Sequence, residues 1–297
     1  MILTSRSALP GFHLTLGYTL IYLSLIVLIP LAGVFFKTAE LGLQDIYAIL
    51  SSQRVISAMT LSFGTALIAA ALNTVFGTLI AWVFVRYTFP GKRVFDAMID
   101  LPFALPTAVA GIALTALYAG NGWIGQWLEP LGLKIAFTPA GIVFALLFIG
   151  LPFVVRTVEP VLRDLEKELE EAAASLGASR WQTVRFVLLP SLLPSMLTGF
   201  ALAFARGIGE YGSVIFIAGN LPYVSEVAPL LIVIRLEEFD YSGATTVAAA
   251  MLVVAFFMLF VINGLQAWSN RHKVRHQIGS GVAKCALSFL LRLGTVR

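Results

Sequence analysis

Long charge-free runs alternate with short polar stretches along most of the chain. His13 to Lys37 encloses one run, Arg54 to Arg86 a second, Asp100 to Glu129 a third and Lys134 to Arg156 a fourth. Each supplies the ~20 predominantly apolar residues that a bilayer-spanning helix needs. Two more follow: Ser191 to about Ala218, which carries Arg206 and Glu210, and Ser242 to Trp268, which carries no charge. The pattern predicts an all-α polytopic membrane protein with about six transmembrane helices. The apolar piece Val227 to Ile234 is short for a span and reads as re-entrant or peripheral, with a seventh span as the alternative. Leu14 to Phe36 is long for the apolar region of a signal peptide and lacks a small-residue cleavage site, so it is read as a retained first span.

The polar stretch between the fourth and fifth runs has its own grammar. Leu162, Leu165, Leu169, Ala172, Ala173 and Leu176 recur at helical spacing and give a first helix one apolar face. Gly177 stands where a left-handed C-terminal cap belongs. Ser179 to Gln182 then matches the capping box that starts a second helix, to which Trp181, Val184 and Leu188 give an apolar face before Pro190 opens the next run. A helix–turn–helix set between membrane spans is either an ordinary solvated hairpin or a handle for a water-soluble partner.

Composition agrees with the membrane reading: 59% of residues are hydrophobic and 12% charged, against about 25% charged in soluble domains. With a cytoplasmic N-terminus, fifteen of the twenty Lys and Arg fall inside: Arg6, the 86–93 loop, the 156–190 insert and the tail. Lys37, Arg54, Lys134 and Arg235 fall outside, and Arg206 lies within a span. The asymmetry predicts cytoplasmic termini and a cytoplasmic insert. The net charge of +4 thus reflects topology and calls for no nucleic-acid partner. The organisation expected is an N-terminal region with the first span over 1–56, a core over 57–268 that contains the loop 156–190, and a basic tail over 269–297. The tail ends in an amphipathic piece, VAKCALSFLLRL, that either rests on the membrane surface or is a disordered extension.

Candidate chemistry is sparse. Gly207 to Gly212 satisfies GxGxxG, but an apolar helix precedes it where a dinucleotide fold needs a strand. The stretch Gly279 to Cys285 echoes a phosphate loop with Ala283 and Cys285 in place of the required glycine and hydroxyl, so no ATP site is expected on this chain. The histidines, His13, His272 and His276, sit at membrane margins, and the lone Cys285 excludes an intramolecular disulfide or cysteine cluster. Neither an enzyme active site nor a metal site is expected. Arg206 and Glu210 remain, four residues apart on the same predicted helix. A charge at mid-bilayer costs ~2.5–3.5 kcal/mol on insertion scales, so both should face protein or water. One reading is a structural i,i+4 pair. The other is an anion pathway in which Arg206 presents positive charge and Glu210 orients it, with Tyr211 and Ser213 as polar neighbours and Gly207, Gly209 and Gly212 loosening the helix. Asn73 and Thr74 read as helix-to-helix hydrogen bonds.

Glu171-Ala172-Ala173, three residues, Gly177, nine residues, Val187, one residue and Leu189-Pro190 resembles the EAA loop of type I ABC importer permeases; Val187 replaces the usual Ile. The stretches DLPFALPTAVAGIAL at 100–114 and GEYGSVIFIAGNLP at 209–222 look like the T-type permease subunits for sulfate and thiosulfate, and molybdate permeases match 209–222 less extensively. The resemblance covers about residues 12 to 270. It implies a sulfate/thiosulfate importer subunit in the bacterial inner membrane, with molybdate or tungstate as alternative cargo and a secondary transporter as the alternative class. It also implies partners: a distinct W-type permease, two ATPase subunits that bind ATP and Mg²⁺, and a periplasmic sulfate-binding protein. Glu171, Ala172, Ala173, Gly177, Val187, Leu189 and Pro190 would form the coupling loop that docks on the ATPase.

Overall fold

The computed structural model describes residues 12–165 and 167–266; Arg6 and the basic tail lie outside them. Five helices among the described residues are long and apolar enough to cross a membrane: α1 (Leu14–Ala39), α3 (Gln53–Arg86), α7 (Pro139–Asp164), α9 (Arg180–Ile208) and α12 (Tyr241–Gln266). Between them lie α2 (Leu43–Leu50), α4 (Lys92–Ile99), α5 (Leu101–Ala104), α6 (Thr107–Tyr118), α8 (Lys167–Ser175), α10 (Val214–Ala218) and α11 (Ala228–Glu237).

The expected third span, Asp100 to Glu129, is not one long helix. Leu105 takes an extended conformation (φ −86°, ψ 136°) before Pro106, splitting α5 from α6, as the restriction on a pre-proline residue requires. The short helix α6 then stops at Ala119, ahead of Gly120 and Gly122. The apolar piece after Val227 is α11, ten residues long and so about 15 Å, too short to cross a bilayer. Its Leu231 is fully buried with Val55, Ala58 and Val247.

Two of the long helices carry a π-helical turn, Ser24–Leu28 in α1 and Val184–Leu188 in α9. Each turn immediately precedes a proline-bearing segment, at Pro30 and Pro190. Proline lacks the N–H and crowds the carbonyl four residues back, and a wider turn accommodates both defects without ending the helix. The second helix of the insert therefore runs directly into the fifth span as one 29-residue helix.

The centre is a three-helix packing of α3, α7 and α9. Val154 of α7, with no exposed surface, sits between two glycines. A β-carbon at Gly77 of α3 would come within 2.8 Å of Val154 Cγ1, and one at Gly199 of α9 within 3.0 Å of Val154 Cα. Ala66, Ala69, Ala70, Ala81, Ala201 and Ala203 are buried around the same helices. Lipid tails are as apolar as a protein core, so close backbone approach through small residues holds such helices together. In contrast, none of the most apolar window of α1 is buried.

Filling this crossing should loosen the bundle. Gly77→Val is expected to lower stability by about 1–3 kcal/mol, and Val154→Ala in the same chain should recover part of the loss. Thermal unfolding of the detergent-solubilised protein measures both; an identical loss with and without Val154→Ala would show that the two positions do not meet.

Candidate functional site

The helix–turn–helix forms as the local sequence dictates, with one change. The apolar stripe from Leu162 to Leu176 is not a single helix, because α7 ends at Asp164 and Leu165 turns to ψ 112°. Leu162 is thus fully buried in the core while Leu169 and Leu176 are 45% and 89% exposed. Gly177 has φ +83°. Around it the Ala178 N–H donates to the Ala173 carbonyl at 3.0 Å and the Gly177 N–H to the Ala174 carbonyl at 2.9 Å. These are the paired bonds of a Schellman cap, which requires the left-handed residue. Ser179 then caps the next helix reciprocally: its N–H donates to Gln182 Oε1 at 2.7 Å and its Oγ accepts from the Gln182 N–H at 3.4 Å.

The loop is anchored on one side and open on the other. Arg86, at the end of α3, pairs with Glu170 of α8 and lies over the Trp82 ring at 5.6 Å. The 86–93 loop and the insert therefore share one face of the molecule, as the charge pattern expects. Thr183 and Leu188 are buried, whereas Leu176, Trp181 and Phe186 are exposed. Glu171, Ala172, Gly177, Leu189 and Pro190 are exposed too, and Ala173 and Val187 half-buried. Beside Gly177 a β-carbon would meet nothing within 4 Å.

Arg206 and Glu210 do form an ion pair, Nη1 to Oε2 at 2.6 Å, but they do not share a helix. The α9 helix ends at Ile208, and Glu210 lies in the break that follows. Its other oxygen, Oε1, accepts from the Ser213 N–H at 2.9 Å and the Ser213 hydroxyl at 3.0 Å, so the carboxylate opens α10 as well as holding Arg206. Glu210 is buried; the Arg206 side chain is 35% exposed, and apart from Nη1 its N–H fork has no partner among the described residues. Tyr211 is half-buried beside this break and packs on the central cluster. From Leu188 to Arg206 is about 27 Å along one helix, so the two sequence-predicted sites sit at separate levels of the molecule.

The stretches 100–114 and 209–222 meet through glycines. A β-carbon on Gly111 would fall 2.4 Å from the Ser213 carbonyl oxygen, and one on Gly212 2.2 Å from Thr107 Oγ1. Asn73 donates across to the Leu146 carbonyl of α7 at 3.4 Å, whereas Thr74 bonds back to Ala70 in its own helix at 2.7 Å, the local alternative always open to threonine.

Sequence reasoning missed a second charge network on the face that carries the insert. Arg156 donates to Asp100 at 2.6 and 2.9 Å, to Asp96 at 2.9 Å and to Glu159 at 3.0 Å. It ties α4 to α7. The spacing of Asp96 and Asp100 on one helix face was a usable signal; their partner 56 residues away was not. At the opposite end, Arg54 of α3 makes a two-pronged pair with buried Glu226, at 2.6 and 2.8 Å.

The sequence profile of the binding-protein-dependent transport system inner membrane components matches residues 73–275. A sulfate transport system permease protein of Synechococcus elongatus is 53% identical over 86% of this chain and 92% of its own length. Its Escherichia coli counterpart is 45% identical over 92% of this chain and 99% of its own length. Among solved structures, a bacterial alginate ABC transporter in complex with its alginate-bound periplasmic protein has a chain that superposes with a TM-score of 0.71. That chain is 17% identical, with 86% of this chain and 93% of its own length covered, which is a likeness of fold.

The buried carboxylate should prove structural whatever else it does. Glu210→Leu leaves Arg206 and the Ser213 N–H without their acceptor and is expected to cost about 3–5 kcal/mol. Arg206→Leu combined with Glu210→Gln removes both charges yet keeps an amide oxygen for Ser213, and should unfold close to wild type. Equal unfolding midpoints for the two variants would contradict this account of Glu210.

Proposed function

This chain belongs to the binding-protein-dependent transport system inner membrane components, and we propose that it is the permease subunit through which a bacterial importer carries sulfate or thiosulfate across the inner membrane. The observation that carries the reading is the capped helix–turn–helix, whose apolar side chains Leu169, Leu176, Trp181 and Phe186 are exposed while its frame is fixed to the core by Arg86 and by continuity with α9. Exposed apolar side chains on a polar loop make it a candidate for protein docking, and its partner in this reading is the ATPase subunit, which binds ATP and Mg²⁺. The likeness to sulfate permeases supports the cargo. A distinct W-type permease, a second ATPase copy and a periplasmic binding protein complete the assembly. Both termini and the insert lie on the cytoplasmic side, and the transport core runs from 57 to 268.

Glu171, Ala172, Ala173 and Gly177 form the contact, and Val187, Leu189 and Pro190 carry its motion into α9. Such movement would rock the two permeases between states that face opposite sides of the membrane. Arg206 is the residue offered to the dianion: Glu210 holds one nitrogen and leaves the remaining donors of the fork available.

Labelled sulfate uptake in cells lacking this chain tests the cargo; uptake at the wild-type rate would overturn it, and loss of molybdate uptake alone would reassign it. A β-carbon on Gly177 meets nothing within 4 Å among the described residues, so the expected outcome for Gly177→Asp is a well-expressed protein whose uptake and ATPase stimulation fall at least about tenfold because the added carboxylate and strained turn obstruct docking. The charge-free pair Arg206→Leu with Glu210→Gln should assemble yet fail to carry sulfate. Full uptake by that pair would leave Arg206 a structural residue.

A further inference from the structure

Two cavities on the insert-bearing face share a wall. One, of about 510 Å³, is an apolar groove between α3 and α4 lined by Phe76, Leu79, Val83, Phe95 and Met98, with buried Phe84 and Ile99 at its floor. The other, of about 590 Å³, is polar and is lined by Lys92, Arg93, Arg163, Asp96 and Glu159. Phe84 and Phe89 line both. The two carboxylates of the polar cavity are already engaged, Asp96 by Arg156 and Glu159 by Arg156 and Arg163. Lys92 reaches only the Tyr87 carbonyl, at 3.3 Å, and neither it nor Arg93 is in an ion pair among the described residues. With Arg156 and Asp100 the cluster holds four cations against three carboxylates, so the polar cavity presents one net positive charge, carried by the unpaired Lys92 and Arg93, beside an open apolar groove.

Trp82 and Tyr87 lie at the same level, at the end of the membrane-length helix α3, where amphipathic rings mark the headgroup region. We propose that these joined cavities hold one phospholipid with an anionic headgroup, its acyl chain along α3 and α4 and its phosphate on Lys92, Arg93 and Arg163. A free phosphate would use only the polar cavity and a neutral lipid only the groove; an anionic amphiphile matches both at once. Basic pockets between helices at this depth attract such headgroups. The inference is independent of the cargo, since none of these residues is among the docking residues between Glu171 and Pro190 or at the Arg206 site.

The test is native mass spectrometry of the assembled transporter, exchanged in mild detergent against equal amounts of phosphatidylglycerol and phosphatidylcholine of the same chain length. Wild type should retain phosphatidylglycerol preferentially. Lys92→Gln with Arg93→Gln should weaken that retention by at least about tenfold, towards the level of phosphatidylcholine, with an unchanged unfolding midpoint. Leu79→Trp, at an exposed position that fills the groove, should reduce both lipids. Equal retention of the two lipids by wild type, or an undiminished preference in the Lys92/Arg93 variant, would overturn the proposal. So would a Leu79→Trp variant that retains lipid normally but loses the second permease, because the groove would then be a subunit interface.

Discussion

Every functional feature of this chain hangs from one close crossing, where Val154 of α7 is held between Gly77 of α3 and Gly199 of α9. In a bilayer there is no hydrophobic gain from bringing apolar helices together, so backbone proximity must supply the attraction. The glycines facing Val154 allow it, and the buried alanines of α3 and α9 extend the same solution along the interface. Two of the three helices then emerge on one face as the supports of the insert: α3 ends in Arg86, which holds Glu170, and α9 begins inside the insert itself.

Polar groups were placed sparingly, and the strongest clusters mark joints. Arg156 fixes the short helix α4, Arg54 fixes the loop before α11 through Glu226, and Glu210 fixes the break between α9 and α10. Removing the partner of buried Glu226 or Glu210 would leave a buried carboxylate unpaired, which costs far more than the pair contributes. The ion pairs therefore set where irregular backbone is allowed, while the small-residue crossing sets where helices touch. The α9 helix runs from Arg180, three residues after the exposed turn at Gly177, to Ile208, two residues before Glu210.

What was legible in the sequence was local. Gly177 and the Ser179–Gln182 box define their turn through residues within five positions of one another, and hydropathy marks the long helices because the bilayer imposes their length. The EAA spacing needed no tertiary information. The misreadings came from backbone interruptions inside apolar runs. Pro106 divides the third run, Leu165 turns the chain inside the insert, and Gly209 ends α9 one residue before Glu210, yet hydropathy is blind to all three. Pro190 shows the opposite case, since a π-helical turn lets the helix continue through it. The pairs Arg86–Glu170 and Arg54–Glu226 join residues 84 and 172 positions apart, for which a single sequence carries no signal.

The central claim is that the exposed turn at Leu176 and Gly177 is where the ATPase grips this subunit. Leu176→Cys, introduced with Cys285→Ser, places a single thiol at a side chain that is 89% exposed in the isolated chain. In the assembled transporter a short bifunctional cross-linker should join that thiol to the ATPase subunit and stop sulfate-driven ATP hydrolysis, while a bulky maleimide should fail to react unless the ATPase is removed. A thiol labelled equally fast with and without the ATPase, and never cross-linked to it, would contradict the account.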